Sequence, residues 1–381
     1  MNPPHIVYFG QTPGQGTGSP IILLRHLRRL AAHGWAVSLV AESGQSAEVP
    51  ETEGWPVFHL SLRKPWWPPF RPENRLLRAM RMRLWAAECD SFFPAPPRAV
   101  LTYLSLHSTL HSEAAACYAR RCGAPLTVIV HDYPPDFPDF PAEHCSTVLG
   151  RQHAVLNQAH QVWFASPQLA ARYALPAERK GILIPIPEGG GAPAHWKPAF
   201  AAAPLIVYAG AVYPAQIPLF RSLARALHTA GARLLLLARQ TPALDALCAA
   251  EPVERRDLFP TNAEALAFLH TEAAALLASY CERVEEMPWI ATSFPSKFAE
   301  FSHLGLPLLL VAPPESAIGL WATQHRYPDF LPAAEPPALA AFVEALRSEP
   351  AWSKKAACTA RFAQTVFDPD AIQAAFEAKL A

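Results

Sequence analysis

Two side chains that could handle a phosphorylated ligand stand three residues apart, Lys297 and Glu300, in the stretch from Ser293 to Pro307 that reads Ser-Phe-Pro-Ser-Lys-Phe-Ala-Glu-Phe-Ser-His-Leu-Gly-Leu-Pro. An ammonium clamps phosphate oxygens, and a carboxylate accepts from hydroxyls such as those of a ribose. The pattern predicts loop, helix, turn and strand. Pro295 and Ser296 open a helix, Gly305 stops it, and the run from Leu308 to Val311 is a buried parallel strand. Lys297 then lies in the first turn, where unpaired backbone N–H groups and the helix dipole already favour an anion. That pairing suits a nucleotide diphosphate-sugar. A capped helix with an ordinary surface ion pair produces the same residues, and spacing alone leaves both readings open.

A second set follows the apolar run Leu126 to Val130, which delivers His131 and Asp132. Polar groups at the carboxyl end of a buried parallel strand sit where open α/β sheets bind ligands, so this pair is a candidate catalytic or substrate site. An aspartate that caps a turn and a satisfied buried histidine are the bland alternative. A third is the loop Gly10-Gln-Thr-Pro-Gly-Gln-Gly-Thr-Gly18, whose Gly14, Gly16 and Gly18 let backbone approach a ligand closely. Their spacing lacks the two residues that the dinucleotide fingerprint places before its third glycine. A nicotinamide dehydrogenase is thereby disfavoured, although Glu42 ends the second strand as such enzymes require.

The elements that position these residues alternate. His5 to Phe9 is a strand, Ser19 an N-cap with Pro20 at the first helical position, Gly34 a helix stop, and Ala36 to Val40 a second strand. Strands are predicted at Ala99–Tyr103, Leu126–Val130, Gln161–Ala165 and Gly181–Ile186, with a helix over Glu113–Cys122. The run Pro187-Glu-Gly-Gly-Gly-Ala-Pro-Ala-His-Trp-Lys-Pro198 is a linker. After it the pattern restarts with a strand from Leu205, a helix over Pro218–Ala230 and a strand over Arg233–Ala238. The expected fold class is α/β: two Rossmann-like domains, residues 1–190 and 191–367, with a capped helix over 368–381.

The 381 residues exceed one core, and 51% hydrophobic against 17% charged residues exclude a disordered chain. Apolar runs are too short to span a bilayer, and the N-terminus enters a strand without signal-peptide features, so a cytoplasmic protein is expected. Residues 1–190 carry 17 basic and 14 acidic side chains, and the remainder 15 and 18, a +3 against −3 asymmetry too small for a nucleic-acid partner. Seven cysteines without a Cys-x-x-Cys pair fit reduced thiols, and His107 with His111 is a weak metal signal; no metal is expected. Residues 63–85 stand apart in composition. Arg63, Lys64, Arg71, Arg75, Arg78, Arg81 and Arg83 face a single acid, Glu73, with Trp66, Trp67, Phe70 and Trp85 interleaved. Leu76, Leu77, Met80 and Leu84 make one face of a helix there. This is the composition of an interfacial anchor, of an anionic acceptor site, or of a solvated basic face over a core stripe.

Two Rossmann-like halves with an anion-binding helix in the second resemble the GT-B glycosyltransferases, particularly the large retaining nucleotide-sugar-dependent family, over nearly the whole chain. The residues that carry the likeness are the Gly14–Gly18 loop, His131, Tyr208-Ala-Gly210, Pro295-Ser-Lys-Phe-Ala-Glu300 and Gly305-Leu-Pro307. The resemblance implies two domains facing a cleft, the first for acceptor and the second for donor, with the C-terminal helix returning to the first. It implies no cofactor beyond a UDP- or GDP-linked sugar as donor substrate, and a cell-surface glycan, lipid-linked or small-molecule acceptor. It gives Glu300 the ribose, Lys297 and the Ser296 backbone the diphosphate, Gly16, Gly18 and Gly210 close approach to the ligand, and His131 the donor sugar or reacting centre. Two positions depart from the family: Thr292 stands where a second glutamate is expected, and residues 211–216 contain no basic pair. A transferase, an epimerase of the same architecture and a non-catalytic sugar-nucleotide binder therefore all remain as expectations.

Overall fold

The computed structural model describes residues 3–14, 18–41, 49, 53–60, 75–104, 106, 110–137, 140–189 and 194–380. Gly16, Glu42, His107 and the stretch 61–74 with its tryptophans lie outside the described residues. The chain divides into two compact units, Met1–Ile186 with Asp370–Ala381, and Pro187–Pro369.

The first unit is a seven-stranded sheet of β1 (His5–Gly10), β2 (Ala36–Ala41), β3 (Val57–His59), β4 (Ala99–Leu104), β5 (Leu126–Val130), β6 (Gln161–Phe164) and β7 (Lys180–Ile182). Every pairing is parallel, in the order β3-β2-β1-β4-β5-β6-β7, with Ile6 against both Val37 and Ala99. Alternation along β1 sends successive side chains to opposite faces. Val7 and Phe9 join the helices Arg75–Phe92 and Leu110–Cys122, whereas Ile6 and Tyr8 pack with Leu24, Leu27 and Phe376. Phe376 belongs to the C-terminal helix Pro369–Glu377, which is tied to the helix Ser19–Ala32 through His26 and Gln373 (2.8 Å) and His33 and Glu377 (2.7 Å). The chain order reverses between β1 and β4, so polar residues at the carboxyl ends of these strands gather at a topological switch point.

The second unit repeats the plan with β8 (Leu205–Ala209), β9 (Arg233–Leu237), β10 (Val253–Arg256), β11 (Ala275–Ser279), β12 (Leu308–Val311) and β13 (Phe330–Leu331). Its order is β10-β9-β8-β11-β12-β13, all parallel, with the reversal between β8 and β11. Continuous apolar runs such as Leu308–Val311, buried along their length, are what strands covered on both faces require.

Several expectations are corrected. Ser19 is not the N-cap: Gly18 holds that position with φ 73°, and Ser19 is the first helical residue, its side chain turned to other partners. A left-handed φ favours glycine, which is why Gly18 and not the serine takes the bend. The helix expected from Glu113 starts at Leu110. β7 ends at Ile182, short of the expected Ile186, because Pro185 has no N–H with which to extend the ladder. The C-terminal helix ends at Glu377. Of the alternatives left open for the stripe Leu76, Leu77, Met80 and Leu84, the core stripe is not the one observed: these residues are exposed (79, 55, 55 and 56%), and the same helix buries Met82, Trp85, Ala86 and Cys89.

Candidate functional site

In the second unit the helix Ser296–Ser302 precedes β12, with Pro295 in an extended N-cap conformation. No side chain caps it, and Ser296 stands at its first position. One turn in, Lys297 reaches across to the end of β8, where its ammonium donates to the Ala209 carbonyl. Gly210 makes this possible: a Cβ there would strike the Lys297 amine. No carboxylate pairs with Lys297 among the described residues, and burial alone pushes its pKa down to about 8. A cation placed this way pays desolvation with a single backbone acceptor in return, which is costly unless an anion arrives.

Glu300 accepts from the Glu188 N–H at 3.1 Å, and a carboxylate's two oxygens can accept several such bonds. Across the switch point, Gln216 donates from Nε2 to the Ser279 carbonyl at the end of β11 (3.1 Å) and accepts from the Tyr213 N–H (3.0 Å). The Ser279 hydroxyl beside it is buried without a hydrogen-bond partner among the described residues. Sequence reasoning missed Gln216; its signal was a lone amide in the loop after β8 that lacks the expected basic pair. Thr292, at the position of the absent glutamate, is 1% exposed, and its hydroxyl donates to the Trp289 carbonyl at 3.3 Å. That position faces the interior.

In the first unit His131 follows β5 directly, Tyr103 is near the end of β4, and Ser19 opens the helix after β1. The Ser19 hydroxyl bonds to the Tyr103 hydroxyl at 2.7 Å and to His131 Nδ1 at 3.0 Å. Burial, with a smaller contribution from His26, pushes His131 down to about 4, so the imidazole is neutral at physiological pH. Burial and the Asp132 charge raise the Tyr103 hydroxyl well above its ordinary range. The structure thus brings His131 and Asp132 together with two residues that sequence reasoning gave no chemical role. Gly18 lies at the start of the same helix, its carbonyl accepting from the Ile21 N–H at 3.2 Å.

Among the described residues no group of three or more His, Cys, Asp or Glu could hold a metal ion, and no helix is long and apolar enough to cross a membrane.

No family model matches the chain, and no curated protein matches its sequence. Its structure does find relatives. HepE of Anabaena, in complex with UDP and glucose, superposes with a TM-score of 0.63 at 14% identity over 98% of both chains. The fold is GT-B. A glycosyltransferase from Rickettsia africae reaches 0.66 at 9% identity, covering 100% of this chain and 98% of that one. A UDP-N-acetylglucosamine 2-epimerase from Listeria monocytogenes, so described in putative terms, reaches 0.52 at 14% identity over 98% and 96%. At these identities the likeness is one of fold, and the GT-B plan accounts for both Rossmann-like units.

Proposed function

We propose that the chain is a glycosyltransferase that binds a nucleotide diphosphate-sugar through its second unit and moves the sugar to an acceptor hydroxyl. The observation that carries this is Lys297, a half-buried ammonium without a carboxylate partner among the described residues, at the carboxyl end of β8. A diphosphate supplies the missing counter-charge. In the reaction the ammonium and the helix N–H groups stabilise the negative charge that builds on the departing diphosphate. Glu300 takes the ribose hydroxyls, Ser296 contributes its backbone N–H, and Gly210 keeps room for the lysine. Gly16, outside the described residues, and Gly18 are the proposed ligand-binding residues of the first unit. HepE, solved with UDP and glucose and with UDP-glucose, favours UDP over GDP as the donor nucleotide.

On this reading residues 1–190 with the C-terminal helix form the acceptor domain and 191–367 the donor domain. The exposed face of Leu76, Leu77, Met80 and Leu84, with Arg81 and Arg83 on the same helix, supports peripheral contact of the 63–85 stretch with a membrane surface and a lipid-linked or cell-surface glycan acceptor.

The epimerase neighbour keeps a second reading, interconversion of nucleotide sugars. Incubation with a panel of UDP- and GDP-sugars decides between them. Slow release of nucleotide and free sugar without an acceptor is expected for a transferase, conversion into an epimeric nucleotide sugar would identify an epimerase, and binding without either would leave a sugar-nucleotide binder.

A further inference from the structure

Three helices of the first unit, Arg75–Phe92, Leu110–Cys122 and Ala142–Leu156, leave a groove of about 810 Å³ between them. Four arginines line it, Arg78, Arg83, Arg120 and Arg151, against the single acid Glu113, a surplus of three positive charges. Glu113 is already engaged. It takes Arg78 in a two-pronged pair at 2.7 and 2.6 Å, with the arginine side chain 12% and its own 15% exposed. Arg83 and Arg120 make no ion pair among the described residues, and Arg120 donates to the neutral amide oxygen of Gln158 at 3.1 Å. Like charges gathered around one groove repel, and an anion between them removes that repulsion. Guanidinium forks match the oxygens of a phosphate two at a time.

Gly150 points the same way by a different route. Glycine inside a helix weakens it relative to alanine, and is called for where the backbone turns left-handed or a neighbour presses close. Neither holds here. Gly150 lies within the helix Ala142–Leu156 without a positive φ, and a Cβ built on it would find no atom within 4 Å. What the missing side chain keeps clear is the groove that it lines. We infer that this groove is a second anion site of the chain, in the unit that lacks Lys297, and that it takes the phosphate group of a phosphate ester. Arg83 follows Ala79 of the groove by four residues and Met80 of the exposed apolar face by three, so it stands between the two. That adjacency favours the headgroup of an anionic phospholipid over a free ester, with the phosphate in the groove and the acyl chains against Leu76, Met80 and Leu84. The site gives the proposed membrane contact a lipid class and does not rest on the transfer reaction.

The test uses the whole protein carrying Lys297→Met, which removes the cation of the proposed donor site. Two probes separate the sources of phosphate: vesicles of phosphatidylcholine with and without phosphatidylglycerol, read by co-sedimentation, and glycerol 3-phosphate, read by calorimetry. Three variants each lower the net charge by one. Gly150→Glu sets a carboxylate in the groove and Arg83→Gln removes a groove cation, whereas Arg121→Gln alters the pair with Asp90 outside the groove. Binding to phosphatidylglycerol vesicles should fall about tenfold in Gly150→Glu and in Arg83→Gln, and less than about twofold in Arg121→Gln. Gly150→Ala, which adds only a methyl group to open space, should bind as the parent does and guards against a loss through misfolding. Glycerol 3-phosphate binding that Gly150→Glu abolishes, without any vesicle binding, would keep the site and assign it to a free ester. Binding of neither probe overturns the inference, as do equal losses in Gly150→Glu and Arg121→Gln. With the donor site disabled throughout, failure of the transferase reading leaves each of these results standing.

Discussion

The two units share one plan and treat charge in opposite ways at corresponding places. At the β8/β11 switch, burial pushes Lys297 only to about 8, and the ammonium persists at neutral pH with a carbonyl for company. Near the β1/β4 switch, burial pushes His131 to about 4, and a neutral ring sits in a closed run of hydroxyls. One site keeps a charge that wants an anion. The other suppresses a charge and leaves the ring neutral. The same desolvation yields both outcomes because the starting pKa values differ by 4, from 10.5 and 6.5.

The largest effect that could break this contrast is acid unfolding. His26 and His131 of the first unit are both lowered from 6.5 to about 4. Below pH 6.5 the unfolded chain binds protons that the native unit refuses until about 4, so stability is full above 6.5 and falls as pH drops through that window, by about 3 kcal/mol at most for each histidine. Hydrogen exchange at pH 4.5 should quicken in β4 and β5 more than in β8 and β11. Equal acceleration would remove the distinction. Next in size, Lys297→Ala should weaken UDP binding about 100-fold in calorimetry, as expected for a charge-assisted contact of up to about 3 kcal/mol. Unchanged affinity would sink the phosphate role. Gly210→Ala, which drives a Cβ into the Lys297 amine, should cost about tenfold in UDP affinity through displacement of that side chain. Smaller again, Glu300→Gln should weaken UDP about fivefold, roughly 1 kcal/mol, while leaving the 2′,3′-dideoxy analogue unaffected. Equal losses for both ligands would take the ribose away from Glu300.

The alternation of apolar runs with capped helices made the central strands of both sheets legible, because parallel strands covered on two faces leave a clear pattern in runs such as Leu126–Val130 and Leu308–Val311, whereas the short edge strands Val57–His59, Val253–Arg256 and Phe330–Leu331 carry no such run. Local signals also singled out Lys297, Glu300, His131 and Asp132 as candidates. What they could not show was partnership at long range. Ser19 and Tyr103 are 84 residues apart, and a serine before a proline looks like a helix cap until the fold places a tyrosine hydroxyl against it. The stripe of Leu76, Leu77, Met80 and Leu84 is ambiguous in the sequence for a related reason. Helical periodicity identifies an apolar face but not which of two faces meets the core, and Met82, Trp85 and Cys89 won that position.

The central claim, that Lys297 keeps its charge for a diphosphate, is tested most directly by UDP calorimetry from pH 7 to 9.5 in buffers of different ionisation enthalpy. A diphosphate on the ammonium must raise its pKa above about 8, the value burial gives it. Binding should then take up a proton above pH 8, and affinity should fall by up to about tenfold per pH unit, with both effects absent in Lys297→Met. Binding of UDP with no proton uptake and a flat pH profile across that range would contradict the account.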